Sequence, residues 1–122
     1  METRTITREE LTALQRRPSP ATDEELSAVR RLIDIAKSDT GQSRRVADFL
    51  LAWWNAGSCG GFDLTTLWGM DDAIAEDMVS VFGYIARVKN YPDTLGYKEQ
   101  FELIVRGWRP ELEDKPAVQP KP

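Results

Sequence analysis

The sequence predicts an all-α fold, a compact bundle of four or five short helices followed by a disordered C-terminal tail. Three observations carry this. Four segments repeat apolar residues at helical spacing, two of the predicted helices open on a capping box, and no run alternates apolar and polar residues as a strand would.

The elements follow in order. Thr7-x-x-Glu10 caps a weak first helix whose main apolar residues, Leu11 and Leu14, give it little to dock with, and which must end before Pro18 and Pro20. Thr22-Asp23-Glu24-Glu25 opens a clearer helix, with Leu26, Val29, Leu32, Ile33 and Ala36 on one face and Arg30, Arg31, Asp34 and Lys37 on the other. Gly41 is expected to stop it and Ser43 to cap the next, which runs to Asn55-Ala56-Gly57. In that helix Val46, Ala47, Phe49, Leu50, Leu51, Trp53 and Trp54 cover an arc of about 200° at 100° per residue. A helix apolar on most sides is packed by several neighbours, so this one is expected to be the spine of the core, with Leu50 at the centre of its arc.

Gly57-Ser58-Cys59-Gly60-Gly61 reads as too glycine-rich for helix. Asp63 then caps a turn carrying Leu64, Leu67 and Trp68. From Asp71 or Asp72 a long periodic segment presents Ile74, Met78, Val81, Phe82, Ile85 and Val88 as its apolar stripe, with Phe82 at the centre, and ends near Asn90 ahead of Pro92. Tyr91 to Tyr97 reads as an ordered turn. A last helix carries Phe101, Ile104, Val105 and Trp108 and stops at Pro110. The boundaries expected are a weakly docked segment over 1–20, a helical domain over 21–112 and a disordered, proline-rich tail over 113–122.

Composition narrows the function classes. At 122 residues, 41% hydrophobic and 30% charged, the chain has room for one core and reads as a soluble globular protein. No segment is long and apolar enough to span a bilayer, and the polar start Met1-Glu2-Thr3-Arg4-Thr5 leads into no apolar region, so a cytoplasmic protein is expected. There is no histidine and one cysteine, which removes Ser-His-Asp and Cys-His dyads, histidine-ligated metals and structural zinc. The expectation is therefore no enzyme, no catalytic residue, no cofactor and no metal, with a carboxylate-based enzyme as the third reading. All of the net charge of −4 falls in residues 61–122, which gives that half no counterion-release advantage on nucleic acid or on anionic lipid.

Each candidate site has a plainer reading beside it. Cys59 lacks a base and a resolving thiol, so it reads as structural. The surrounding glycines lack the lysine and the preceding strand of a phosphate loop. Asp71, Asp72, Glu76 and Asp77 suit a helix N-terminus without any cation. The pairs Arg30-Arg31 and Arg44-Arg45 flank a turn and give the outline of a helix-turn-helix, with Gln42, Arg44 and Arg45 as the nucleic-acid-binding alternative; the helix behind them is too apolar to serve as a recognition helix. The aromatic residues offer more. Four tryptophans exceed what a small core readily hides, so Trp54, Phe62, Trp68, Tyr91 and Tyr97 are expected to form an exposed patch for another protein or for self-association.

From Leu50 to Leu112 the strings Leu51-Ala52-Trp53-Trp54-Asn55-Ala56, Gly61-Phe62-Asp63-Leu64, Tyr91-Pro92-Asp93, Leu95-Gly96-Tyr97 and Trp108-Arg109-Pro110-Glu111-Leu112 resemble small proteobacterial proteins grouped as a domain of unknown function, often carried on plasmids and integrative elements. The resemblance implies an accessory or regulatory protein of a mobile element. It implies no activity, cofactor or catalytic residue.

Overall fold

The computed structural model of the chain describes Thr5, residues 7–10 and residues 20–112. Four α-helices make up most of it: α1 (Asp23–Ala36), α2 (Gly41–Cys59), α3 (Asp72–Val88) and α4 (Lys98–Trp108). Short 3-10 segments over Leu64–Gly69, Pro92–Leu95 and Pro110–Leu112 fill the connections, and there is no strand among the described residues. The architecture is all-α, as the periodicity predicts. The expected disordered tail over 113–122 and most of the N-terminal segment over 1–20 lie outside the described residues. Within the latter, the Glu10 amide donates to Thr7 Oγ1 at 3.1 Å, the first half of the expected capping box.

Helix α1 starts where its sequence says. The Glu25 amide donates to the Thr22 hydroxyl and the Thr22 amide donates back to Glu25 Oε1, both at 3.0 Å. The face carrying Ala28, Val29, Leu32, Ile33 and Ala36 is buried, and α1 packs against each of the other three helices. It thus shares the central position expected of α2 alone.

The start of α2 differs from expectation. Thr40, not Ser43, is the cap: its hydroxyl accepts from the Ser43 amide at 3.0 Å, so Gly41 becomes the first residue of the helix instead of a stop. Ser43 is buried inside the first turn, 2.8 Å from the Thr40 hydroxyl. The end of α2 differs too. Gly57 to Cys59, expected as linker, is helical, because the chain leaves helical geometry at Asn55 and immediately resumes it. The buried Asn55 carboxamide accepts from the Ser58 amide at 3.2 Å and caps this added turn, which stops at Gly60 with a φ of 100° that favours glycine.

Helix α3 ends on Lys89 in the left-handed conformation, and Gly96 supplies a second positive φ just before α4. Two ion pairs fasten α1 to α3. Arg31 grips Asp77 with two hydrogen bonds of 2.8 Å, and Arg87 grips Glu25 from the other end with bonds of 2.8 and 2.5 Å. Glu25 is therefore both cap and counter-ion. The Arg87 guanidinium, helped by the Thr22 amide, holds its carboxyl down at about 2 against an ordinary 4.5.

The stripe expected on α3 needs one correction. Met78 and Val81 are buried as expected, but Phe82 is 58% exposed and Tyr84 takes the central place, fully buried against the edge of Trp53. The apolar arc of α3 is wider than the surface its neighbours cover, so its midpoint does not mark the contact. Leu50, by contrast, is fully buried. The Tyr84 hydroxyl is buried with no hydrogen-bond partner, which costs about 1–3 kcal/mol for a group stripped of water.

Three outcomes follow from this packing. Leu50→Ala is expected to cost about 2–5 kcal/mol and Phe82→Ala less than about 1 kcal/mol, read from denaturant midpoints. Tyr84→Phe should leave the midpoint unchanged or raise it, since it removes only an unpaired hydroxyl. Because the carboxyl of Glu25 is held low, its stabilisation is complete above pH 4.5 and is lost as pH falls from there toward 2. Glu25→Gln should therefore unfold earlier in urea than the parent at neutral pH, with the difference narrowing below pH 4.5.

Candidate apolar groove

The aromatic residues singled out in the sequence do not come together. Trp54 is 4% exposed, so the surface role expected of it gives way to a place in the core. Its indole N–H donates to the Asp93 carboxylate at 3.0 Å and its ring leans on Phe101. Trp53 beside it donates to the Asn90 carbonyl at 2.9 Å, and Trp108 donates to the Ala36 carbonyl at 2.7 Å. Tyr91 and Tyr97 are half-buried at either end of the segment that carries Asp93, and Tyr97 packs against the core. Trp68 alone among the tryptophans stands out in solvent, 86% exposed.

Three of the strings that carry the resemblance, those with Trp53-Trp54, Asp93 and Trp108-Arg109, thus help to hold the fold together. Trp54 of α2 is tied to the Tyr91-Pro92-Asp93 segment and Trp53 to Asn90 just before it, and Pro92 is buried there. Arg109 closes the other side: its guanidinium donates to Asp48 at 2.6 Å and to the Cys59 carbonyl at 2.9 Å, joining the end of α4 to both ends of the lower half of α2. Cys59 itself is buried, and burial pushes its thiol above its usual range.

What the structure does assemble is a groove lined entirely by apolar side chains. Phe49 from α2, Phe62 from the connection, Leu64 and Leu67 from the first 3-10 segment, and Met78, Val79 and Phe82 from α3 enclose about 150 Å³. Asp63 positions the 3-10 wall, its carboxylate accepting from the Thr65 amide at 2.9 Å and the Thr65 hydroxyl at 2.8 Å, which keeps that carboxyl below the ordinary range. Phe62 is held edge-on to Phe49, with ring centroids 5.3 Å apart. Leu64, Val79 and Phe82 form the exposed lip. Of the five aromatics expected at a surface, Phe62 is the one that lines this groove.

Leu64, Val79 and Phe82 were not singled out as site residues from the sequence. A usable signal was present in α3, where apolar residues spread past the single face that a bundle neighbour can cover. A second depression, about 500 Å³, lies between the end of α1 and α4. It mixes Lys37, Ser38 and Asp39 with Leu103 and Gly107, and Trp108 forms part of its wall.

The residues of the nucleic-acid alternative are partly committed elsewhere. Gln42 accepts from the Asp71 amide at 2.8 Å and Arg45 donates to the Gly69 carbonyl at 3.3 Å, so both brace the link into α3. Arg44 is exposed. In the acidic cluster, Asp77 is held by Arg31, and among the described residues no three metal-ligating side chains gather. No described helix is long and apolar enough to cross a membrane.

No curated protein and no solved structure matches the chain. A family model does, over residues 26–109, a span that takes in all four helices save the first residues of α1 and includes every tie made by Trp53, Trp54, Trp108 and Arg109. On that match the chain belongs to the DUF7673 family, a family of unknown function.

Proposed function

We propose that this protein is a non-enzymatic interaction module that binds protein through the apolar groove and the exposed face of α3 beside it. The observation that carries the reading is the composition of that surface: seven apolar side chains from three parts of the chain, with Phe82, Val79 and Leu64 left open to solvent. Contiguous exposed apolar surface on a small domain marks an interaction site more often than a folding need. Trp68, on the same 3-10 segment as Leu64 and Leu67, adds an aromatic side chain of the kind that anchors interfaces.

The chemistry available elsewhere supports the same reading. The chain has no histidine, its one thiol is buried with a raised pKa, and the carboxylates with depressed pKa values are engaged in caps and ion pairs. An accessory or regulatory role on a mobile element is the setting suggested by the resemblance of its motifs to small proteobacterial proteins, and the composition suggests the cytoplasm.

Photo-crosslinking in the native cell tests the reading. A photoreactive residue at position 79 of the intact chain is expected to give a discrete protein adduct that disappears when Phe82→Glu is added. The same residue at position 34, on an exposed polar part of α1, should give none. Equal labelling from both positions, or no adduct from position 79, would overturn it.

A further inference from the structure

We infer that the occupant of this surface is a second copy of the same chain, bound by antiparallel pairing of the two α3 helices about a two-fold axis. The inference rests on the interaction reading above and adds the identity of the partner. It comes from a symmetry in the exposed residues of α3.

Along α3, Ala75, Val79, Phe82 and Ala86 follow one another at intervals of four, three and four residues. That is the spacing of a helix–helix packing seam, and it falls on one flank of the helix. Val79, Phe82 and Ala86 are exposed, so this chain leaves most of the seam uncovered; Ala75, at its N-terminal end, is half-buried and packs partly against the core. The seam is also its own mirror when the helix is reversed. Counting outward from the point between Ser80 and Val81, Val79 and Phe82 stand equally far to either side, as do Ala75 and Ala86. An isologous interface requires this property, because each residue at position i must meet its opposite number at position j on the partner.

Charge makes the same match. Asp72, the first residue of α3, and Lys89, the left-handed residue that follows its last turn, are both exposed and are again equidistant in sequence from that midpoint. In the antiparallel pair Asp72 of one copy lies beside Lys89 of the other, twice over. In a parallel pair, acidic residues would face acidic residues. The antiparallel arrangement also sets the acidic N-terminal end of each helix against the C-terminal end of its partner, which the helix dipoles favour.

The groove supplies the depth that a flat seam lacks. Val79 and Phe82 belong to both the seam and the groove wall, so the Phe82 ring of the partner arrives over Val79 at the groove mouth. A volume of about 150 Å³ is one that holds a benzene ring when its walls are apolar. Small side chains at Ala75, Gly83 and Ala86 let two backbones approach.

Sedimentation of the full-length chain from low to high micromolar concentration tests the pairing. A reversible monomer–dimer equilibrium is expected, and Phe82→Glu should abolish the dimer while leaving the circular dichroism spectrum and melting temperature of the monomer unchanged. Asp72→Lys and Lys89→Asp should each weaken the dimer by about tenfold, and the double variant should restore it. A dimer indifferent to Phe82→Glu, or a double variant as weak as the singles, would overturn the antiparallel α3 pairing. A chain that stays monomeric at every concentration would overturn self-association altogether. In that case a discrete adduct from position 79 of a mass other than twice the chain would leave the interaction reading standing with a different partner, whereas no adduct would remove both.

Discussion

An indole drawn away from water must find an acceptor for its N–H, and the way buried Trp54 and half-buried Trp53 and Trp108 meet that demand organises the rest of this fold. Leaving such a donor unpaired away from water costs on the order of 1–3 kcal/mol. Trp53, Trp54 and Trp108 avoid the cost with acceptors far away in sequence, at Asn90, Asp93 and Ala36. Each bond joins a helix to the end of another element, so satisfying the donor also fixes a connection. The rings do a second job. Trp53 meets Tyr84 and Phe101 edge-on, and Trp54 leans on Phe101, so one aromatic cluster spans α2, α3 and α4. With these three indoles held inside in this way, the exposed aromatic side chains are those of Trp68 and Phe82.

Part of the local chemistry was legible in the sequence, although the Thr40 cap of α2 was not, and the long-range chemistry was hidden. The α1 cap was readable because Thr22 and Glu25 are three residues apart and act on each other. The all-α class followed from periodicity for the same reason. The extension of α2 through Gly57 and Cys59 was hidden, because glycine propensity argues against helix and the decisive contact is a buried Asn55 side chain. Phe82 yielded the central place to Tyr84 for a different reason. Periodicity shows that a helix has an apolar arc, but the part of the arc that is covered depends on where α1 and α2 lie. The groove was least legible of all, since its walls come from α2, α3 and the chain between them. The tryptophan and arginine strings were visible as strings, yet their meaning as ties between helices needed their partners.

Stability and candidate function are thereby separated in space. The ties made by Trp53, Trp54, Trp108 and Arg109, and the ion pairs Arg31–Asp77 and Glu25–Arg87, all lie away from the groove lip. Leu64, Val79 and Phe82 contribute little to the core, so they can change without unfolding the domain.

Arg109 carries a consequence for how the chain is made. Its bond to Asp48 closes a separation of 61 residues, and Trp108 reaches back 72 residues to Ala36. Neither contact can form until the end of α4 has cleared the ribosome. Helices α1 to α3 will have emerged well before then, with the Phe101-facing side of Trp53 and Trp54 uncovered. Synthesis at roughly 5–20 residues per second leaves that side open for a second or more. During this interval the nascent bundle presents two apolar surfaces, the open core and the groove, and it is the arrival of α4 that seals the first and leaves only the second.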